Sequence, residues 1–174
     1  MQTLEGGALR SGAFILMPDA GPGRTAVLVL GGSEGGDGTA RLLGAALVEE
    51  GFTVLGVPYH RPPGHSRSRD LAPLPSAFID LRVERVGETI DWLQSQTGLG
   101  RAQVMLYGFS KGAEMALLAA SLDGPHAAVV AVAPSDVVWE GWGRGRAAGT
   151  CSGFSWQDRS LPFVPYDGFD VEMA

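Results

Sequence analysis

Five residues constrain this chain more than any others. Gly108, Phe109, Ser110, Lys111 and Gly112 follow the apolar run Val104-Met105-Leu106-Tyr107 and precede the helical pattern Ala113-Glu114-Met115-Ala116-Leu117-Leu118. A buried strand that must become a helix within a residue or two needs backbone free of Cβ atoms on either side of the turn, and glycine supplies it. The residue at the apex then stands clear above the sheet edge. That residue is a serine, so Ser110 is the candidate nucleophile. The same five residues also fit a plain glycine-rich strand–helix turn.

Strands and helices alternate through most of the chain. Ala13 to Met17 reads as a short strand ended by Pro18, and Ala26 to Leu30 as a strand buried on both faces. After the glycine-rich loop Gly31 to Gly38, a helix is expected from Thr39 to Glu50, with Leu42, Leu43, Ala46 and Leu47 on one face and Gly51 as its stop. Thr53 to Val57 is the next strand. Ser76 is a plausible N-cap for a long amphipathic helix carrying Ile79, Val83, Val86, Ile90 and Leu93. The serine turn then joins Val104–Tyr107 to a helix over Lys111–Leu122, and Ala127 to Ala133 is a last buried strand. Beyond Pro134 the pattern dissolves, so residues 135–174 read as an irregular, lid- or insertion-like tail on a single domain spanning 1–174. Such alternation predicts an α/β fold with a mostly parallel sheet and helices on both faces. Ligands of such sheets bind beyond the carboxyl ends of the strands.

Composition narrows the function classes. A formal charge of −6 argues against a nucleic-acid surface. No stretch is apolar for long enough to span a membrane, and Met1 to Arg10 lacks the basic-then-apolar order of a signal peptide. Cys151 is the single cysteine, which excludes an internal disulfide; a cytoplasmic setting is the default. No cluster has metal-ligand spacing. Gly31-Gly32-Ser33-Glu34-Gly35-Gly36 is not followed by Gly-Lys-Ser/Thr, and its spacing does not fit Gly-x-Gly-x-x-Gly. Nothing in the chain calls for a cofactor.

A serine hydroxyl needs a base, and the charge it creates needs donors. The N–H of Lys111, at the start of the helix, is one candidate oxyanion donor; the N–H of Ser33 or Glu34 is the other. Gly32 lets substrate approach the backbone, and Tyr59 and His60 follow a strand at the same sheet end, where they are expected to line the cleft. The base is harder to find. His126 begins the strand Ala127–Ala133, roughly 20 Å from the carboxyl end where Ser110 lies. His60 and His65 sit at the correct end on a long loop, in an unusual chain order. Asp136 follows the next strand end, where a surface or capping aspartate is the plainer reading and a triad acid the alternative; Glu34 fits a bond close to the nucleophile and a surface loop acid equally. Cys151 has no helix N-terminus or base beside it. Trp139, Trp142 and Trp156 serve either an acyl pocket or ordinary packing.

Several segments together resemble one family, the C-terminal domain of bile-acid-CoA:amino-acid N-acyltransferases and acyl-CoA thioesterases, a dienelactone-hydrolase-like branch of the α/β-hydrolases. They are Leu30 to Gly36, Leu74-Pro75, Gly108 to Glu114, Ser135 to Gly141, Ser155-Trp156 and Leu161 to Pro165. The resemblance implies an α/β-hydrolase-type sheet and acyl transfer from a coenzyme A thioester, or another acyl ester, to water or an amine. Ser110 matches the family's nucleophile position. The family's acid and histidine lie on two further strand ends past the stretch matching Leu161–Pro165, so the resemblance implies a chain lacking the last two strands. A truncated product, an inactive relative and a site completed by a second chain are the three accounts of that difference. Without those two strands Ala127–Ala133 becomes an apolar sheet edge, and self-association through it is expected unless the tail folds over it.

Overall fold

The apolar runs assemble into a six-stranded sheet. In the computed structural model, which describes residues 1–6, 11–61, 71–143 and 149–166, the chain runs β1 (Gln2–Glu5), β2 (Phe14–Met17), β3 (Ala26–Leu30), α1 (Gly38–Glu49), β4 (Thr53–Gly56), β5 (Leu81–Arg82), α2 (Glu84–Thr97), β6 (Val104–Phe109), α3 (Lys111–Leu122), β7 (Ala128–Val132), β8 (Phe154–Trp156) and β9 (Arg159–Ser160). The large sheet has the order β1-β2-β4-β3-β6-β7. β4, β3, β6 and β7 run parallel to one another, β2 pairs antiparallel with β4, and β1 antiparallel with β2. β1 carries no apolar alternation, since it is a mostly exposed edge, and sequence reading passes over it.

Helices cover both faces, as the alternation predicts. Ala26, Leu28, Leu30 and Leu106 face α2 and α3, meeting Val86, Ile90, Leu93, Met115 and Ala119. Val27, Val29, Phe14, Leu16 and Val54 face Ala40 and Val48 of α1. β2, β3 and β4 are therefore buried along their whole length. The fold class is α/β with the expected mostly parallel sheet.

Two expectations are corrected. The long helix does not start near Ser76: it starts at Glu84 and ends at Gly98, whose φ of 77° and N–H bond to the Gln94 carbonyl close it. Asp80 turns to φ 47°, and the N–H groups of Phe78, Asp80, Leu81 and Val83 donate to the carbonyls of Trp142, Ser152, Gly153 and Ser155. That ladder outcompetes the helical bonds for this segment. The second correction concerns the tail, which is not wholly irregular. β8 and β9 join β5 in a small sheet of order β5-β8-β9, with Phe154 buried in the main core. Strands of two or three residues are too short to show a period, and the partner of β8 lies more than seventy residues earlier.

At the far side of the large sheet, β7 pairs with β6 alone among the described residues. No helix among the described residues is long and apolar enough to cross a membrane.

Candidate active site

Ser110 stands between the last residue of β6 and the first of α3, with φ 51° and ψ −119°. A non-glycine residue in that region costs about 1–3 kcal/mol and persists only where neighbours enforce it. Here the Ser110 N–H donates to the Val132 carbonyl at 2.9 Å, and the Ser110 carbonyl accepts the N–H groups of Ala113 at 2.9 Å and Glu114 at 3.2 Å. Both glycines of the pentapeptide are required by packing. A Cβ on Gly108 would run into Ala113 and the Gly112 carbonyl, and one on Gly112 into the carbonyls of Leu30 and Gly31. The turn is thus pressed onto β3, and Ser110 remains half-buried rather than enclosed.

The loop after β3 runs directly past this serine. A Cβ at Gly32 would stand 3.3 Å from Ser110 Cβ. Glu34 folds back over its own loop: its Oε1 accepts the Gly32 N–H at 2.9 Å and the Thr39 hydroxyl at 2.6 Å. A side chain at Gly31 or Gly32 would displace that carboxylate. Tyr59, buried after β4, donates its hydroxyl to the carbonyls of Gly31 at 2.7 Å and Gly32 at 3.1 Å. Burial, with the Glu34 and Glu114 carboxylates adding, pushes the Tyr59 hydroxyl well above its ordinary range, so it stays a donor. The His60 carbonyl accepts the Gly36 N–H at 2.8 Å. Lys111 opens α3, so its N–H is among the four that a helix cannot pair internally.

Sequence reading missed the side chain of Lys111. Its Nζ pairs with Glu114 Oε2 at 2.8 Å, with both side chains buried. The ammonium also lies 5.5 Å from the Trp142 ring and 5.9 Å from the Phe78 ring. Burial raises the Glu114 carboxyl above its usual range, against the opposing pull of Lys111 and the Ser135 backbone. A Lys–Glu pair at i, i+3 in a first helical turn reads as surface chemistry, and only the tertiary contacts bury it. Phe78 is the hub. It stacks on Trp142 at 4.2 Å and meets His60 edge-on at 5.4 Å, Phe154 at 5.3 Å and Tyr59 at 6.3 Å. Trp139 stacks on Tyr166 at 5.0 Å and donates to Ser135 Oγ at 2.8 Å. Trp142 therefore packs the tail against the body, and Trp139 packs within the tail.

The remaining sequence candidates are scattered. His60 is buried against Phe78, its Nδ1 without a hydrogen-bond partner, and burial lowers its pKa below 6.5 against the opposing Ser76 backbone bond. His126 precedes β7 at the end where Ala127 bonds Val104, the far end of β6 from Ser110. Asp136 is exposed, and Cys151 is buried as a free thiol. His65 lies outside the described residues. Among the described residues no side chain hydrogen-bonds Ser110 Oγ. The structure therefore brings together Ser110, Lys111, Gly32, Ser33 and Glu34, with Tyr59 and His60 behind the loop.

No protein-family model and no curated protein matches this chain. Solved structures do resemble it. A protein from Klebsiella pneumoniae subsp. pneumoniae MGH 78578 described as a dienelactone hydrolase has a TM-score of 0.58 at 19% identity, over 80% of this chain and 62% of that one. The α/β hydrolase GrgF from Penicillium sp. sh18 has a TM-score of 0.57 at 22% identity, over 80% of this chain and 47% of that one. An esterase of the bacterial hormone-sensitive lipase family has a TM-score of 0.52 at 23% identity, over 76% of this chain and 43% of that one. The chain thus spans about half the length of these structures. At such identities the likeness is one of fold, and it agrees with the strand order and the serine turn: this chain has the α/β-hydrolase fold.

Proposed function

We propose that the chain carries the nucleophile and oxyanion parts of a serine acyl hydrolase or acyltransferase. The observation that carries this reading is Ser110 itself, held at φ 51° between a strand and a helix with the Gly31–Glu34 loop against it. A strained serine at the carboxyl end of a parallel sheet is what acyl transfer in this fold needs. In the proposed reaction Ser110 Oγ attacks the acyl carbonyl carbon while a base takes its proton. The carbonyl π electrons move to oxygen, where the N–H groups of Lys111 and of Ser33 or Glu34 receive them. Collapse re-forms the carbonyl and breaks the bond to the leaving sulfur or oxygen, which takes the proton back from the base; water or an amine then loses a proton to the base, attacks the acyl-serine carbonyl, and that proton returns to Ser110 Oγ as the acyl group leaves. The base is to be sought outside the described residues.

For the substrate class we propose an acyl-CoA thioester. It is supported by the Ser-Lys-Gly-Ala-Glu and Val-Val-Trp-Glu-Gly segments, Ser110 to Glu114 and Val137 to Gly141. The structural neighbours, a dienelactone hydrolase and an esterase among them, favour a carboxylester instead. A non-catalytic binding module is favoured by a different observation, the absence of any side chain bonded to Ser110 Oγ among the described residues.

Fluorophosphonate labelling separates these. Phosphonylation of Ser110 in the wild type, lost to background in Ser110→Ala, is expected of an activated serine. An unlabelled wild type favours the binding module. Hydrolysis of an acyl-CoA panel beside p-nitrophenyl esters then decides between thioester and ester.

A further inference from the structure

Tyr59 follows β4, which pairs with one side of β3, and Ser110 follows β6, which pairs with the other. The Gly31–Gly32 segment leaves β3 between them. Tyr59 has a single O–H proton, and both the Gly31 and Gly32 carbonyl oxygens lie within its reach, at 2.7 Å and 3.1 Å. A trans peptide is planar, and its C=O and N–H point in opposite directions. A Gly32 carbonyl turned toward the β4 side therefore turns the Ser33 N–H toward the β6 side, where Ser110 stands. The neighbouring donors of the turn are already engaged, Gly32 N–H with Glu34 Oε1 and Gly35 N–H with the Gly32 carbonyl. Neither the Ser33 N–H nor the Glu34 N–H has a partner among the described residues, so it is the direction of the 32–33 peptide that singles out Ser33.

We propose that Tyr59 is the positioning residue of the oxyanion site: its hydroxyl sets the plane of the 32–33 peptide, so that the Ser33 N–H faces the oxygen of an acyl group attacked by Ser110. The inference rests on the serine acyl-transfer reading and assigns Ser33, rather than Glu34, as the second donor. Tyr59 touches no substrate. It is buried, and its hydroxyl is spent on two carbonyls. Glu34 supports the same geometry from the other side by holding the Gly32 N–H.

Tyr59→Phe removes the hydroxyl and keeps the ring against Phe78. The expected result is a labelling rate constant lower by about 10- to 100-fold, with the affinity of the non-covalent fluorophosphonate complex and the thermal midpoint little changed, because the loss falls on the charged transition state. Binding of a trifluoromethyl ketone, whose serine adduct carries an oxyanion, is expected to weaken in parallel. A purely structural role would lower the midpoint and leave the rate constant of the folded fraction unchanged. If Tyr59→Phe does not fold, the wild type still decides: on phosphonylation the amide resonance of Ser33, not that of Glu34, is expected to shift downfield. A labelled wild type with unchanged kinetics in Tyr59→Phe, or with an unmoved Ser33 amide, overturns this inference alone. A wild type that does not label overturns the acyl-transfer reading and this inference with it.

Discussion

Ser110 is legible in the sequence because its constraint is local. Gly108 and Gly112 are needed by backbones that lie within a few residues or on the adjacent strand, and both leave a mark in the pentapeptide. His60 shows the opposite case. Its position after β4 is readable, but its burial against Phe78 depends on a segment that sequence periodicity assigns to a helix. Burial disfavours the imidazolium and outweighs the opposing backbone bond from Ser76, so the folded state binds its proton less readily than the unfolded state, whose His titrates near 6.5. The stability that follows from a neutral His60 is complete above 6.5 and is lost as the pH falls from there through the lowered folded value. Denaturant unfolding at about pH 7.5 and about pH 5 is expected to show this loss in the wild type and a smaller one in His60→Gln. Equal slopes in the two proteins would mean that the imidazole titrates as it does in water.

At the scale of elements, the strands and helices with full-length apolar patterns are where the sequence places them. α3, β3, β4 and β6 each bury a face wide enough to leave a period, whereas α1 forms where expected but buries Ala40, Gly44 and Val48 instead of the Leu42–Leu43–Ala46–Leu47 face, leaving Leu42 78% exposed. The start of α2 is displaced because Phe78 to Val83 bonds to the tail, and no local preference encodes a partner that distant. The same tail contacts bury the first turn of α3. Lys111 and Glu114 pair there at 2.8 Å beneath the Phe78–Trp142 stack, both at roughly a tenth exposure or less. Breaking a buried pair from one side costs more than removing both charges, because the remaining charge stays desolvated. Lys111→Met is expected to cost about 3–5 kcal/mol, and Lys111→Met/Glu114→Gln distinctly less, as no charge is left buried. Urea unfolding of the two variants checks this. A double variant as damaged as the sum of its parts would show that the charges act independently.

At the scale of the whole molecule, the decisive feature is how the sheet ends. In register, Met105 pairs with Ala128, Tyr107 with Val130 and Phe109 with Val132, and all six side chains share the sheet face that α1 covers elsewhere. Tyr107 still packs against the α1-side cluster, but Phe109, Val130 and Val132 are between 36% and 43% exposed. The outer edge of β7 is also unpaired among the described residues. Edge strands usually carry a charge, a proline or a bulge that discourages further pairing. Ala128-Val129-Val130-Ala131-Val132 carries no charge and no proline, and an antiparallel second copy centred on Val130 would set small apolar residues opposite one another throughout. A second copy of this chain is therefore the occupant we expect at this edge. Val130 points away from the α2–α3 core, so Val130→Lys places a charge on the open face without disturbing packing. By light scattering at rising concentration, the wild type is expected to form dimers or larger species and Val130→Lys to remain a monomer of unchanged thermal midpoint. A wild type that stays monodisperse and monomeric at tens of micromolar would show that the uncharged edge does not suffice for pairing, despite the exposed Phe109, Val130 and Val132 beside it.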